Sequence, residues 1–411
     1  MTIDFRPEDP AFHVDPFPLL RRMQDEDPLH WSPRMKAWVL TRYDDVRWAS
    51  ADAQAMSSDR LRPYFATLPA AESSRMASLI RYLSLWMVFR DPPDHTRLRR
   101  LSSKVMNPAS AQAMQPVVER ITAGLLDALE GREEIDFVGE FAGPLPALVI
   151  MAMLGVPDEA LARVKALSDE MALFIGSSRM DAGKYAIAER ATAEMAGFFR
   201  DLIAERRARP KQDMISSLVA LRDGEDTLTE DELVATCILM LFAGHETTTN
   251  HLANGLLALI GFPEQLARMR DDPLAAPRAV EELLRYDGPS GAQVRVATGE
   301  TALHGRRIVA GDRVVLMLNA ANRDPRAYAA PDRVDIDRDG PPHLAFGWGI
   351  HLCLGFPLAR LEGRVVLPMV LRRWPQVALA RPAGDWLNSL VFRGMRSLWL
   401  SPRGRARTAA A

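Results

Sequence analysis

Ten consecutive residues, Phe346-Gly347-Trp348-Gly349-Ile350-His351-Leu352-Cys353-Leu354-Gly355, narrow what this chain can fold into more than any other stretch. They hold one of only two cysteines in 411 residues, together with three glycines and a histidine. Glycine at that density serves a backbone that must turn tightly and approach a neighbour closely. A helical pattern at 357–373 follows at once, so Cys353 sits just ahead of a helix N-terminus, where backbone N–H groups favour a thiolate. An isolated cysteine is more often a small buried hydrophobe. The loop pattern around this one points instead to a metal ligand.

The rest of the chain reads as mostly helical with a minor sheet, folded as one large domain over residues 1–411. Periodicity predicts helices over 16–26, 42–51, 94–106, 110–130, 140–153, 157–174, 182–209, 212–221, 229–260, 263–270, 275–286 and 357–373. It predicts strands at Trp38–Leu40, Gln293–Val296, Arg307–Ile308, Arg313–Leu318 and Leu398–Leu400, with residues 401–411 a frayed, flexible tail. Thr229-Glu230-Asp231-Glu232 is a capping box, and Gly261 with Pro263 ends the same helix. That helix spans about 32 residues, roughly 48 Å. Its centre, Ala243-Gly244-His245-Glu246-Thr247-Thr248-Thr249, puts a glycine, a carboxylate and β-branched threonines where each is unfavourable. Local rules broken in this way are expected at functional sites, although a polar turn with back-bonded threonines is the plainer reading.

Two further patterns are weaker alone. Glu282 and Arg285 sit at i,i+3 on one helical face, which by itself is a surface ion pair worth under about 1 kcal/mol. His95 and Arg99 sit at i,i+4 and point the same way, and guanidinium groups suit carboxylates.

The four motifs, in this order, resemble the cytochrome P-450 family in its soluble bacterial form, and the resemblance covers nearly the whole chain. It implies the triangular, helix-rich fold of that family and a haem-thiolate monooxygenase. Cys353 would be the axial metal ligand to the iron of haem b. Gly244 would let the long helix bend around dioxygen, Thr247 would hydrogen-bond the bound oxygen, and Glu246 would connect it to a proton relay. His95, Arg99, Arg295 and His351 would hold the haem propionates. Glu282 and Arg285, joined by Arg333 from a later loop, would fix the thiolate loop. Trp86, Val88, Phe174, Met240, Ala243, Val294 and Phe392 would border an apolar substrate pocket. Trp348, Phe356 and Val334 depart from the common family pattern near the proximal face. No flavin or iron–sulfur segment follows the cysteine loop, so the resemblance implies a ferredoxin-type electron donor. A peroxygenase using hydrogen peroxide and a non-catalytic haem sensor are the alternatives; the Glu246-Thr247 pair argues against the first.

Composition bounds the partners. A net charge of −2 gives no electrostatic footprint for nucleic acid. The apolar runs Leu145–Leu154 and Cys237–Gly244 are too short to cross a bilayer, so no membrane association is expected. Two cysteines form no disulfide framework, and the acidic, proline-broken start lacks a signal-peptide core, so a cytoplasmic location is expected.

Overall fold

The computed structural model describes residues 3–175, 183–272 and 274–404. Helices dominate, and among the described residues three small sheets accompany them. The five-stranded sheet runs in the order Leu29–Ser32, Ala37–Leu40, Arg313–Met317, Ala292–Ala297, Met56–Ser57. Ala37–Leu40 pairs parallel with Arg313–Met317, and the other pairings are antiparallel. This sheet ties the first sixty residues to the segment that carries Arg295.

The long helix runs over Glu230–Gly261. The Thr229 hydroxyl accepts from the Glu232 N–H, and the Glu232 carboxylate accepts from the Thr229 N–H, which satisfies two otherwise orphaned donors. Its residues are buried nearly all round, as expected of a helix through the middle of a large domain. It packs against Pro144–Leu154, Lys184–Ala208, Ala276–Asp287 and Phe356–Arg373. Two glycines allow the last two to come close. A Cβ on Gly255 would stand 3.3 Å from Leu283 and 3.6 Å from Leu367, and one on Gly363 would stand 2.9 Å from Val280.

Differences from the predicted elements have local causes. The single helix expected over 110–130 is two, Pro108–Ala113 and Gln115–Ala128, because Pro116 lacks the N–H that would continue the ladder. The helix expected over 140–153 begins as a π-turn at Val138–Ala142 and becomes α-helical at Pro144. Leu61–Ala66, Ala70–Ser74 and Ala77–Leu83 were not predicted, since five to seven residues are too few for a periodic signal. Strands Leu29–Ser32 and Met56–Ser57 were also missed. The start of the helix expected over 182–209 lies outside the described residues at 182, and Lys184–Ala208 is helical. The expectation of a frayed tail from Ser401 is corrected: Ser401 pairs with Ala378 in a strand, and its hydroxyl donates to the Gly404 carbonyl at 2.8 Å. Residues 405–411 lie outside the described residues. No helix among the described residues is long and apolar enough to cross a membrane.

Candidate functional site

The Cys353 loop is built by its own backbone. Cys353 N–H donates to the Phe346 carbonyl at 2.9 Å, and Gly347 N–H to the Leu344 carbonyl at 2.8 Å. Gly347 and Gly349 take φ of +72° and +73°, a region that strains side-chain-bearing residues. Gly349 has a second reason: a Cβ there would meet the Ala51 Cα at 2.8 Å, so the loop docks directly on the helix Tyr43–Ala51. The helix Phe356–Arg373 starts just beyond. Burial raises the Cys353 thiol, while the N–H groups of Gly355 and Phe356 bonded to its sulfur, and the charges of Arg99 and Arg360, pull it back.

Above the sulfur lies a cavity of about 260 Å³ between this loop and the long helix. Gly244, Ala243 and Thr247 line it from one side, His95, Arg99, His351 and Cys353 from the other. A Cβ on Gly244 would press to 3.0 Å from Ile150, so glycine there keeps the helix close to its neighbour as well as open to the cavity. Thr247 donates its hydroxyl to the Ala243 carbonyl at 2.9 Å. Glu246 does not line the cavity. Its carboxylate stands 4.0 Å from the His245 ring and groups with Asp169 of the helix Leu161–Ile175, on a side where it is 21% exposed. Burial is the main cause that pushes His245 down to about 4.

At the cavity edge four basic side chains converge, and the charge of the Asp91 carboxylate bears on two of them, His95 and Arg295. The His95 and His351 rings are 4.2 Å apart between centroids. Arg99 donates to the Leu352 carbonyl at 2.5 Å. Arg295 does not line the cavity but lies beside it, buried, donating to the Val294 carbonyl and the Gln293 side chain at 3.3 Å each. Burial, then Arg295, His95 and Arg99, push His351 down to about 2, and burial with Arg60 pushes Arg295 down to about 10. Arg60 was not singled out in the sequence; nothing local distinguishes it from a surface arginine. His95 Nδ1 and His351 Nε2 are buried without a hydrogen-bond partner among the described residues. Two guanidinium cations, Arg99 and Arg295, beside two neutral imidazoles that each leave a ring nitrogen unpaired, fit a ligand bearing carboxylates. A thiol sulfur ringed by N–H groups, a cavity above it and that basic edge together suit a haem.

The Glu282–Arg285 pair is interior. Arg285 donates to Glu282 with Nε at 2.7 Å and Nη2 at 2.8 Å, and to the carbonyls of Asn322, Pro331 and Arg333 at 2.9–3.0 Å. The expected third partner is corrected. Arg333 is exposed and contributes only its carbonyl. Arg338 instead reaches Glu282, with Nε 3.0 and 3.2 Å from the two oxygens. Glu282 also accepts from the Asp335 N–H at 2.9 Å, and the turn from Asp335 to Arg338 brings that guanidinium back beneath the carboxylate.

Among the expected pocket residues, Val88, Met240 and Ala243 line the cavity. The other four do not. Trp86 stacks on Phe89, Phe174 on Phe65, Phe392 stands edge-on to Phe242, and Val294 is packed in the sheet core. They form the wall behind the lining, because an apolar segment says which residues are buried but not which face a void. The structure adds Ile150, His251 and Glu362 to the lining. A glutamate in the apolar helix 357–373 was the one visible signal for the last. Of the unusual residues, Trp348 lies under the Arg47 guanidinium at 4.8 Å, Phe356 packs on Phe346 at 6.1 Å, and Val334 is buried in the main core.

A family model described as Cytochrome P450 matches residues 69–377. The chain is 37% identical over 370 residues to Cytochrome P450 CYP107DY1 of Priestia megaterium, with 88% of each chain covered. It is 36% identical over 404 residues to 6-deoxyerythronolide B hydroxylase of Saccharopolyspora erythraea, covering 95% of this chain and 97% of that one. The solved structure of P450BioI in complex with hexadec-9Z-enoic acid ligated acyl carrier protein matches with a TM-score of 0.88 at 33% identity, covering 95% of this chain and 98% of that one.

Proposed function

The chain belongs to the cytochrome P450 family, has its fold and is a P450 monooxygenase with a haem-thiolate iron cofactor; we propose that the cofactor is haem b with Cys353 as its axial ligand, that the substrate is an apolar small molecule, and that electrons come from a ferredoxin-type donor. When bound, the haem supplies the activation of dioxygen, one atom of which enters the substrate while the other leaves as water after two electrons and two protons are consumed.

The residues take the following parts. Cys353 would hold the group through its sulfur, and the N–H groups of Gly355 and Phe356, with the charges of Arg99 and Arg360, would stabilise the thiolate once formed. His95, Arg99, Arg295 and His351 would take the propionates, whose charge would offset that of the two guanidinium groups and whose oxygens would offer the unpaired ring nitrogens a partner. Thr247 donates its own proton to Ala243, so its oxygen is free to accept a hydrogen bond from a protonated group in the cavity. Glu246, facing outward beside His245 and Asp169, passes protons from solvent toward Thr247. Glu282, Arg285 and Arg338 hold the segment that leads into the cysteine loop. Met87, Leu239 and Met240 supply an apolar wall, and Ser290 and Gln293 the few polar anchors for a substrate. A cytoplasmic location fits the chemistry of the free thiols Cys237 and Cys353.

The observation that carries this reading is the Cys353 thiol on one side of a cavity edged by His95, Arg99 and His351, with Arg295 beside them. The test is the Soret band of the reduced, carbon-monoxide-bound protein. Thiolate ligation moves it strongly to the red, and a histidine-like position would reject Cys353 as ligand.

A further inference from the structure

Among the described residues, one group of three metal-binding side chains stands outside the cysteine loop and its cavity: Asp169, His245 and Glu246. Each offers one donor atom, an imidazole nitrogen or a carboxylate oxygen, and all three donors lie within 4.8 Å of one another. The long helix supplies His245 and Glu246 as neighbours in sequence, and the helix Leu161–Ile175 brings Asp169 against both.

His245 is 4% exposed, and no hydrogen bond holds its ring among the described residues. Its Nε2 stands 4.0 Å from Glu246 Oε2, too far for a hydrogen bond, so the two face each other across a gap. A metal bonded to both at about 2.0–2.2 Å holds its ligand atoms roughly 3.3 Å apart in a tetrahedral shell, so shifts of about 1 Å close the site. Asp169 can make its share of that movement. Its ion pair with Lys165, 2.8 Å away across one turn of the same helix, lies at the surface and is weak. Burial keeps the His245 imidazole neutral near neutral pH, the form that ligates a metal. One imidazole with two carboxylates suits a first-row divalent cation of the zinc class, with water in the fourth position. Calcium and magnesium favour oxygen donors alone.

We propose that Asp169, His245 and Glu246 form a binding site for a zinc-class divalent cation, and that the bound ion halts proton delivery by occupying the Glu246 carboxylate. The second half rests on the reading of Glu246 as the proton carrier to Thr247. The ion enters from solvent on the side of the exposed Asp169. Once bound, it ties the helix Leu161–Ile175 to the long helix beside the oxygen-handling residues. Its removal returns Glu246 to service, so the site is a reversible brake.

The site itself is tested by equilibrium dialysis of the haem-loaded protein against zinc chloride, with zinc X-ray absorption on the product. One ion per chain is expected, with one imidazole and oxygen neighbours at about 2.0–2.2 Å and no sulfur. Asp169→Asn and His245→Gln are each expected to weaken binding at least about tenfold, the loss typical even of a residue that only supports a ligand. Lys165→Gln removes a competing cation and is expected to tighten binding about twofold. Asp169 is a surface residue, so its variant decides the matter even where His245→Gln fails to fold. Binding unchanged in Asp169→Asn, or a sulfur neighbour to the zinc, overturns the site.

NADH-driven dioxygen consumption with a surrogate ferredoxin and its reductase reads the second half. Zinc just sufficient to fill the parent site is expected to slow consumption about tenfold, and to affect Asp169→Asn far less. Zinc that binds as described while parent consumption stays unchanged overturns the brake. Glu246→Gln without zinc then separates the two readings: slowed consumption leaves the proton role of Glu246 standing, and unchanged consumption rejects that role as well. Zinc binding involves no haem, so its failure leaves the haem-thiolate reading to the carbon-monoxide spectrum.

Discussion

Thr247 donates its hydroxyl proton to the Ala243 carbonyl, 2.9 Å away, so the side chain that borders the cavity offers it an acceptor and no donor. A hydroxyl has one proton and two lone pairs, and the helix backbone has taken the proton. Replacing it with alanine removes the acceptor while leaving the helix intact. Thr247→Ala is expected to cut product formed per electron pair by about tenfold, with the lost equivalents appearing as hydrogen peroxide, and Thr247→Ser to retain most coupling. Product and peroxide assays on one sample decide it; unchanged coupling in the alanine variant rejects the role.

Glu282 is held by the buried Arg285 and the half-buried Arg338, while Arg333 is exposed. Arg285→Leu leaves a buried carboxylate short of a bidentate partner and frees three carbonyls, a loss expected to reach about 3–5 kcal/mol. Arg338→Ala is expected to destabilise clearly, and Arg333→Ala by less than about 0.5 kcal/mol. Denaturant midpoints at constant slope measure all three, and a costly Arg333→Ala with a silent Arg338→Ala reverses the assignment.

Arg295 contributes with opposite signs in the two states of the protein. Without haem it is a buried cation facing Arg60, so Arg295→Leu is expected to raise the melting temperature of the apoprotein. With haem it is a charged hydrogen-bond donor, and the same change is expected to weaken haem retention by about 2 kcal/mol, roughly thirtyfold. Haem transfer to an excess of apomyoglobin reads the second, and calorimetry the first. A variant that retains haem as tightly as the parent excludes the propionate role.

Stability toward acid follows from His251. Burial lowers its imidazole from 6.5 to about 4, so between those values the unfolded chain carries a proton that the folded one does not. Stability conferred by the neutral ring is therefore present above pH 6.5 and falls as the pH drops toward 4, by about 3 kcal/mol over the window. His251→Leu is expected to flatten that slope. Denaturant titrations at a series of pH values test it, and parallel curves for parent and variant reject it.

The cysteine loop, the polar centre of the long helix and the capping box were legible because each depends on residues adjacent in sequence. A capping box needs only Thr229 and Glu232, and a tight loop needs only its own glycines. The partner of Glu282 was misjudged by five positions, Arg338 for Arg333, since a loop of irregular backbone sets which side chain returns. Four of seven expected pocket residues proved to be wall. Local patterns record which side chains avoid water, and that is equally true of a lining and of the layer behind it.

The sequence by itself determined the helical class, the lengths and ends of the principal helices, and the identity of the thiol, because hydrogen bonds and caps within a few residues decide these. Only the tertiary structure decided that His95, Arg99, Arg295 and His351 share one edge, and that His251 and Glu362 border the same cavity. Those groupings join residues separated by tens to hundreds of positions, and the close crossing of helices at Gly255 and Gly363 brings the last pair together. Repulsion among cations and desolvation of a carboxyl exist only once packing has removed the water between them.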